Sequence, residues 1–499
     1  MPKRTTTLEL VLPAREPGVS AARWLVGSLR AEILGGRLRP GSRLPATRDL
    51  ARQYGLSRGT LVSAFERLKS EGYIEGSIGS GTFVSEVLPD DLLQVARRAD
   101  APPVPKRGRD RRLSAFARRV QLFPGYTIRP VRAFRANHPA LDLFPTTLWA
   151  QVAARRLRRA TTQLLLGTDP MGYRPLQEVV ADYLRTSRGV QCQPEQIAIV
   201  SGVQEALDVV ARLVLDPGDR VCMEHPGYPG AALVFEAYGA RIDSIAIDEE
   251  GMQLPGPRSR NAKLVYLTPG HQFPLGIGMS LRRRLALLEW ARSSRALIVE
   301  DDYDSEYRYA GRPLPAMQGL DRHGLVLFVG SFSKVLFPSL RLGYLVVPTD
   351  LLAQVEATQS ISNRHAPLLA QAVLADFIAE GHFGRHLRRM RQTYAERLGV
   401  LLEGAGQQLG GLLEISKVEA GLQTAGWLPE GVRAITVAAG AAARGVDVIP
   451  LDSYARRALP REGLQLGFAA VDVQELRRGI DQLALVLEAE LRGARYRRR

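Results

Sequence analysis

From about residue 136 to the C-terminus, short apolar runs alternate with longer stretches whose apolar residues recur at helical spacing. Residues 196–200 run into a helical pattern over 204–215, and a pattern over 281–292 runs into the apolar 296–300. Such a chain buries its strands on both faces only by laying helices over a mainly parallel sheet. One large α/β domain is therefore expected over 136–499. Two other textures precede it. Residues 18–87 read as compact helices followed by a hairpin. Residues 88–135 contain Ala101-Pro102-Pro103-Val104-Pro105-Lys106-Arg107-Gly108, a basic Pro/Arg-rich linker stiffened by proline. A length of 499 residues also calls for more than one core.

A formal net charge of +16 points to an acidic partner, nucleic acid first. The charge gathers at Arg97, Arg98, Lys106, Arg107, Arg109, Arg111, Arg112, Arg118 and Arg119, and again at Arg495, Arg497, Arg498 and Arg499. Such runs serve either as solvated surface or as phosphate contacts. Apolar runs such as 264–267 and 325–329 fall far short of the ~20 residues that span a bilayer. Met1-Pro2-Lys3-Arg4 leads into no apolar signal segment, so a cytoplasmic location without a membrane partner is expected. Cys192 and Cys222 then read as free thiols, and no metal site is read.

Within the first segment, helical spacing over 21–34 stops at Gly35-Gly36. Thr47 is placed to cap a short helix over 48–54, which Gly55 closes, and Ser57 to cap the next, from Arg58 to about Ser70. Two helices around a tight glycine turn form the helix-turn-helix layout, whose second helix enters the major groove N-terminus first. Ser57, Arg58, Gly59, Thr60 and Ser63 would then face double-stranded DNA, while Leu61, Val62, Phe65 and Leu68 pack inward. Arg58 can reach a guanine edge or a phosphate. Tyr73-Ile74-Glu75 and Thr82-Phe83-Val84 flank a glycine-rich tip and form a wing.

In the large domain the informative segment is Gly330-Ser331-Phe332-Ser333-Lys334, followed by Arg341-Leu342-Gly343-Tyr344. An apolar strand over 326–329 delivers Ser331 and Lys334 to a strand end, where α/β proteins place their sites. An amine able to condense with an aldehyde, beside a hydroxyl and an arginine able to hold phosphate, meets the needs of pyridoxal 5'-phosphate (PLP). Asp301 ends the strand over 297–299 and can pair with a protonated pyridine nitrogen, and Tyr303 can reach the ring oxygen. Gly202, Val203 and Gln204 open a helix whose free amides suit phosphate, and Tyr228 can stack on the ring.

These motifs carry a resemblance. Pro40-Gly41-Ser42-Arg43-Leu44-Pro45-Ala46-Thr47-Arg48-Asp49-Leu50-Ala51, Leu56-Ser57-Arg58-Gly59-Thr60-Leu61 and Gly79-Ser80-Gly81-Thr82-Phe83-Val84 resemble the GntR-type winged helix. That resemblance implies DNA contacts at Arg48, Ser57, Arg58, Thr60 and the wing glycine Gly79. The region after 136 is similar to the fold-type I PLP enzymes of the aspartate aminotransferase superfamily. Stretches such as Asp169-Pro170-Met171-Gly172-Tyr173-Arg174 and Pro269-Gly270-His271-Gln272-Phe273-Pro274-Leu275-Gly276 make the whole chain similar to the MocR family, which fuses the two modules in this order. The fold implied is multidomain: a winged helix-turn-helix followed by an α/β aminotransferase-like domain. Lys334 would be the catalytic lysine that carries the cofactor, Asp301 the pyridinium partner, Tyr303 the partner of the ring oxygen, and Ser331, Arg341 and the amides of 202–204 the phosphate holders. The family also implies a homodimer, domain-swapped head to tail, that regulates transcription.

Two positions depart from the metabolic enzymes. Phe273 stands where those enzymes carry asparagine, a replacement that the MocR pattern shares. Gln465, or Leu464 in a shifted register, stands where the superfamily has its carboxylate-binding arginine, and Gln lacks the charge for that role. Arg456, Arg457 and Arg461 are the nearby candidates to replace it. The effector is thus PLP itself, an amine or an amino acid. The competing readings are an aminotransferase with an accessory winged helix, and a DNA-binding protein whose second domain is inert.

Overall fold

The computed structural model describes residues 10–77, 81–88, 112–123, 130–310, 315–416 and 418–497. The chain divides into two compact units, Met1–Arg111 and Arg112–Arg499. Gly79, the basic positions between 97 and 111, and the terminal Arg498 and Arg499 lie outside the described residues, as do the side chains of Arg495 and Arg497.

The first unit holds α1 (Ala21–Leu34), α2 (Thr47–Tyr54), α3 (Arg58–Ser70), β1 (Ile74–Ser77) and β2 (Gly81–Val84). The two strands pair antiparallel from Ile74↔Val84 to Ser77↔Gly81, which makes the wing. Gly55 takes φ 62°, the left-handed conformation that lets the chain leave α2 at once. The Ser57 hydroxyl accepts from the Thr60 amide at 3.1 Å, capping α3 as expected. Thr47 is instead the first helical residue, and Ala46 holds the cap position without a side-chain bond. Asp49 in the first turn supplies the negative charge that a helix N-terminus favours. Leu25, Leu29, Leu50, Leu61 and Leu68 are wholly buried, and Leu10 and Leu12 join their core. Val62, expected to pack inward, is 43% exposed. One residue is 100° of helix, which turns Val62 away from the face that buries Leu61 and Phe65.

In the second unit an eight-stranded sheet has the order β3-β10-β9-β8-β7-β4-β5-β6. Its strands are β3 (Ile197–Val200), β4 (Arg220–His225), β5 (Arg241–Asp248), β6 (Gly251–Met252), β7 (Ala262–Leu267), β8 (Leu297–Asp302), β9 (Val326–Ser331) and β10 (Gly343–Val346). The central pairs β9–β8–β7–β4–β5 are parallel. β10 runs antiparallel to both neighbours, β3 and β9. Its first residue, Gly343, therefore lies level with Val200 and Ser331, the last residues of those strands. That single reversal brings Arg341 to the edge at which β3, β8 and β9 end. β3 and the first four residues of β9 are continuously apolar, as strands covered on both faces are. A second, antiparallel sheet of β11 (Glu414–Ile415), β12 (Gln423–Trp427), β13 (Ile449–Pro450) and β14 (Gly463–Gly467) has the order β11-β12-β14-β13.

Cys192 and Cys222 are buried and unpaired, and burial pushes their thiols up to about 11 and about 12. Among the described residues no helix is long and apolar enough to cross a membrane. At the start of this unit, residues 112–123 lie against it: the Arg119 Nε donates to the Ala237 carbonyl at 3.0 Å, and Phe116 meets the Tyr238 ring edge-on at 5.1 Å.

Adjacent residues on α3 should behave oppositely in thermal unfolding. Leu61→Ala is expected to cost about 2–5 kcal/mol, whereas Val62→Ala should change stability by no more than about 0.5 kcal/mol. Equal losses would mean that Val62 is packed.

Candidate functional site

The edge where the parallel strands end encloses a cavity of about 500 Å³. Val203, Tyr228, Asp301, Tyr303, Ser331 and Lys334 all line it, so six residues singled out from sequence meet in one space. Asp301 and Ser331 come from neighbouring strand ends, and Lys334 from the turn after β9. Gly202, Gln204 and Arg341 do not line the cavity but stand at the same edge. The Gln204 amide donates to the Tyr228 hydroxyl at 2.9 Å. Gly202 has φ 106° at the N-terminus of α4 (Val203–Val214), and a Cβ there would lie 3.4 Å from an Arg341 terminal nitrogen. Bare amides and a guanidinium thus share one small region, which is what a phosphate requires.

Lys334 is held by donating to the Asn137 carbonyl at 2.8 Å. Burial pushes its amine down to about 8, against the pull of Asp304 and Asp301. Burial pushes the Asp301 carboxyl up to about 7, against the hydrogen bond that its Oδ2 accepts from Tyr266 at 2.6 Å. Its Oδ1 is buried and has no partner among the described residues. A buried carboxylate oxygen without a donor leaves a place for one N–H, and a protonated pyridine nitrogen fits it.

Around this pair lies a shell that sequence reasoning missed. His271 Nδ1 lies 2.9 Å from Asp304 Oδ1, and the Tyr303 hydroxyl lies 3.0 Å from the same nitrogen. With the Nδ1 proton given to Asp304, the Tyr303 hydroxyl is left to other partners. Burial holds the Tyr303 phenol well above its ordinary range, so it stays protonated. Glu224, pushed up to about 7 by burial, accepts from the Thr268 amide and hydroxyl at 3.0 and 2.7 Å. That hydroxyl in turn accepts from the Phe273 amide at 2.8 Å. Phe273, in place of a polar residue, meets Tyr228, Tyr303 and Tyr454 edge-on at 5.7, 6.0 and 4.9 Å. It makes an apolar wall where the enzymes have an amide. His271 lay within a motif already quoted, and Asp304 three residues beyond Asp301. Asn137 acts through its backbone, which no residue pattern reveals.

The nearby arginines do not replace the one missing at Gln465. Arg456 pairs with Glu236, Arg457 donates to the Ser244 carbonyl, and Arg461 pairs with Glu414. None lines the cavity.

In the first unit, Arg58 and Gly59 are exposed at the start of α3 and Thr60 is half-buried. Ser57 is exposed, but its hydroxyl is engaged in the cap and lies 2.8 Å from the Thr60 hydroxyl. The Arg48 side chain is 80% exposed and lies 3.8 Å from Asp49.

Comparison with known proteins agrees with this geometry. Residues 133–420 match the family "Aminotransferase class I and II", and residues 22–84 match "Bacterial regulatory proteins, gntR family". The chain is 40% identical to the probable rhizopine catabolism regulatory protein MocR of Rhizobium meliloti, over 94% of each chain. It is 30% identical to the pyridoxine biosynthesis transcriptional regulator PdxR of Corynebacterium glutamicum, over 94% of this chain and 96% of that one. The structure of LysN from Thermus thermophilus, an α-aminoadipate aminotransferase complexed with N-(5'-phosphopyridoxyl)-L-leucine, superposes with a TM-score of 0.68. It is 28% identical and covers 76% of this chain and 98% of its own.

The depressed amine predicts its own reactivity. Labelling of Lys334 by an aldehyde reagent should rise with pH through a midpoint of about 8, because the neutral amine is the nucleophile. Asp301→Asn removes one charge that favours the ammonium, so the midpoint should fall. Peptide mass mapping across pH reads both, and a midpoint near that of surface lysines would refute the burial argument.

Proposed function

The chain belongs to the MocR family of transcription regulators, in which a GntR DNA-binding domain is joined to an aminotransferase-like domain, and we propose that its second unit holds PLP on Lys334 and thereby governs how the first reads DNA. The observation that carries this reading is the buried, unpartnered Oδ1 of Asp301 in the cavity that also holds Lys334. When bound, PLP supplies an aldehyde for the Lys334 amine and an electron-withdrawing pyridine ring. Asp301 would hold the ring nitrogen, Tyr303 the ring oxygen, and Ser331, Arg341 and the amides of Gly202, Val203 and Gln204 the phosphate. Tyr228 would cover one face of the ring, its hydroxyl fixed by Gln204. Phe273 supports sensing over turnover, because it places an apolar edge where an amide would assist exchange chemistry. LysN is an aminotransferase, so slow or partial transamination is compatible with this site.

Functionally the chain divides into a DNA reader at 18–87, a linker at 88–135 whose described residues from 112 onward belong to the second compact unit, and a sensor at 136–499. In the reader, Arg58, Gly59 and Thr60 would approach bases, Arg48, Ser57 and Gly79 the backbone, and the exposed Val62 a thymine methyl. Paired half-sites and the symmetry of such assemblies favour a homodimer, swapped head to tail. Ligand in the sensor can shift the readers only by binding one arrangement more tightly than the other.

Borohydride reduction of PLP-treated protein should leave the cofactor mass on the Lys334 peptide, and Lys334→Ala should abolish the tag. A tag elsewhere would end the proposal. In promoter-binding titrations Arg58→Ala should cost about 1–3 kcal/mol. Arg48→Ala should weaken binding uniformly and lower the salt slope by about one. Brisk amino-acid turnover without specific DNA binding would instead favour an enzyme with an accessory module.

A further inference from the structure

We infer that Arg135 forms an anion subsite in this cavity, so that the ligand accepted beside Lys334 is an amine that also carries a carboxylate. The inference rests on the cofactor reading above and narrows it.

Among the described residues that line the cavity, Arg135 and Lys334 are the two with cationic side chains of the Lys/Arg type. Arg135 Nη1 donates to Asp447 Oδ2 at 3.2 Å, and both side chains are largely buried, 20% and 16% exposed. Its other N–H groups donate to nothing among the described residues. One bond to Asp447 therefore fixes the guanidinium while leaving donors for a second carboxylate.

The fold explains why an arginine so far away in sequence stands here. Phe134 bridges Gly467 on β14, the Gly467 amide donating to the Phe134 carbonyl at 2.9 Å. The Asp447 amide donates to the Ala133 carbonyl at 3.0 Å. The segment 133–135 is thus stitched to the strand that carries Gln465. Gln465 itself is wholly buried between two residues of the cavity wall. It pairs with Ile449 across the strands, and its Oε1 accepts from the Tyr454 hydroxyl at 2.6 Å. Its Nε2 has no partner among the described residues, so the wall behind the cavity holds one unsatisfied donor. Tyr454 lines the same cavity as Arg135; burial pushes its phenol up, and the Arg135 charge opposes that shift. The same segment reaches the reactive amine through the Asn137 carbonyl. Amine and anion recognition therefore meet on one stretch of chain.

The test uses full-length, PLP-loaded protein and a panel of the natural amino acids, β-alanine and 4-aminobutanoate, each beside its decarboxylated amine. Binding is read from the cofactor absorbance. At least one amino acid should act at concentrations about ten- to a hundredfold below its matched amine. Arg135→Gln should erase that preference while leaving the amine response and cofactor loading unchanged, and Arg135→Lys should restore part of it. Equal action of the matched amines, an unchanged preference in Arg135→Gln, or no response to any panel member would overturn the subsite. Failure of PLP to load on Lys334 would be a different result: it would sink the cofactor reading, and this inference with it.

Discussion

The sensor depends on two buried charges of opposite sign at the ends of adjoining strands. Lys334 and Asp301 are both withdrawn from water, and each is shifted toward its neutral form by that withdrawal. An isolated buried amine or carboxylate would cost several kcal/mol. Here each partly offsets the other, and the remaining polar demand is met by Tyr266 and by the Asn137 carbonyl. The unmet part, one carboxylate oxygen, leaves room for one N–H donor. The sheet enforces the arrangement, because parallel strands end together and the reversed β10 brings Arg341 back to the same edge.

The reader follows a different logic. Its core is a small set of leucines, with Phe65, Tyr73 and Val84, closed by a two-stranded wing. The polar start of α3 is left exposed because its packing is done by Leu61, Ala64, Phe65 and Leu68 alone. The same helix therefore packs through one face and leaves the other free for the proposed recognition. A mutation can be assigned to one role by its phase along α3.

Much of this was legible in the chain. Helical spacing and glycine stops located α1, α2 and α3 closely, because local backbone preferences act over a few residues. Thr47 and Val62 were misplaced by a single position or a single face, differences that capping and packing decide. In the sensor, the residues marked by strand ends and turn motifs, Asp301, Ser331 and Lys334, meet in one cavity. Arg456, Arg457 and Arg461 are near Gln465 in sequence, yet all three are engaged elsewhere, because proximity along the chain does not fix where a side chain points.

The amino-acid sequence by itself determined the two-module order, the α/β class of the second module and the residue types able to hold PLP. Those features are written in periodicity, in glycine and proline placement and in short motifs, all of which are local. Tertiary structure alone decided that Asn137 holds the lysine, that His271 leans on Asp304, and that Arg135 lines the same cavity as Lys334. Each of these joins positions from distant segments, some through backbone groups that every residue possesses. Only the pairing of strands and the closing of the core bring them within hydrogen-bond or Coulomb range.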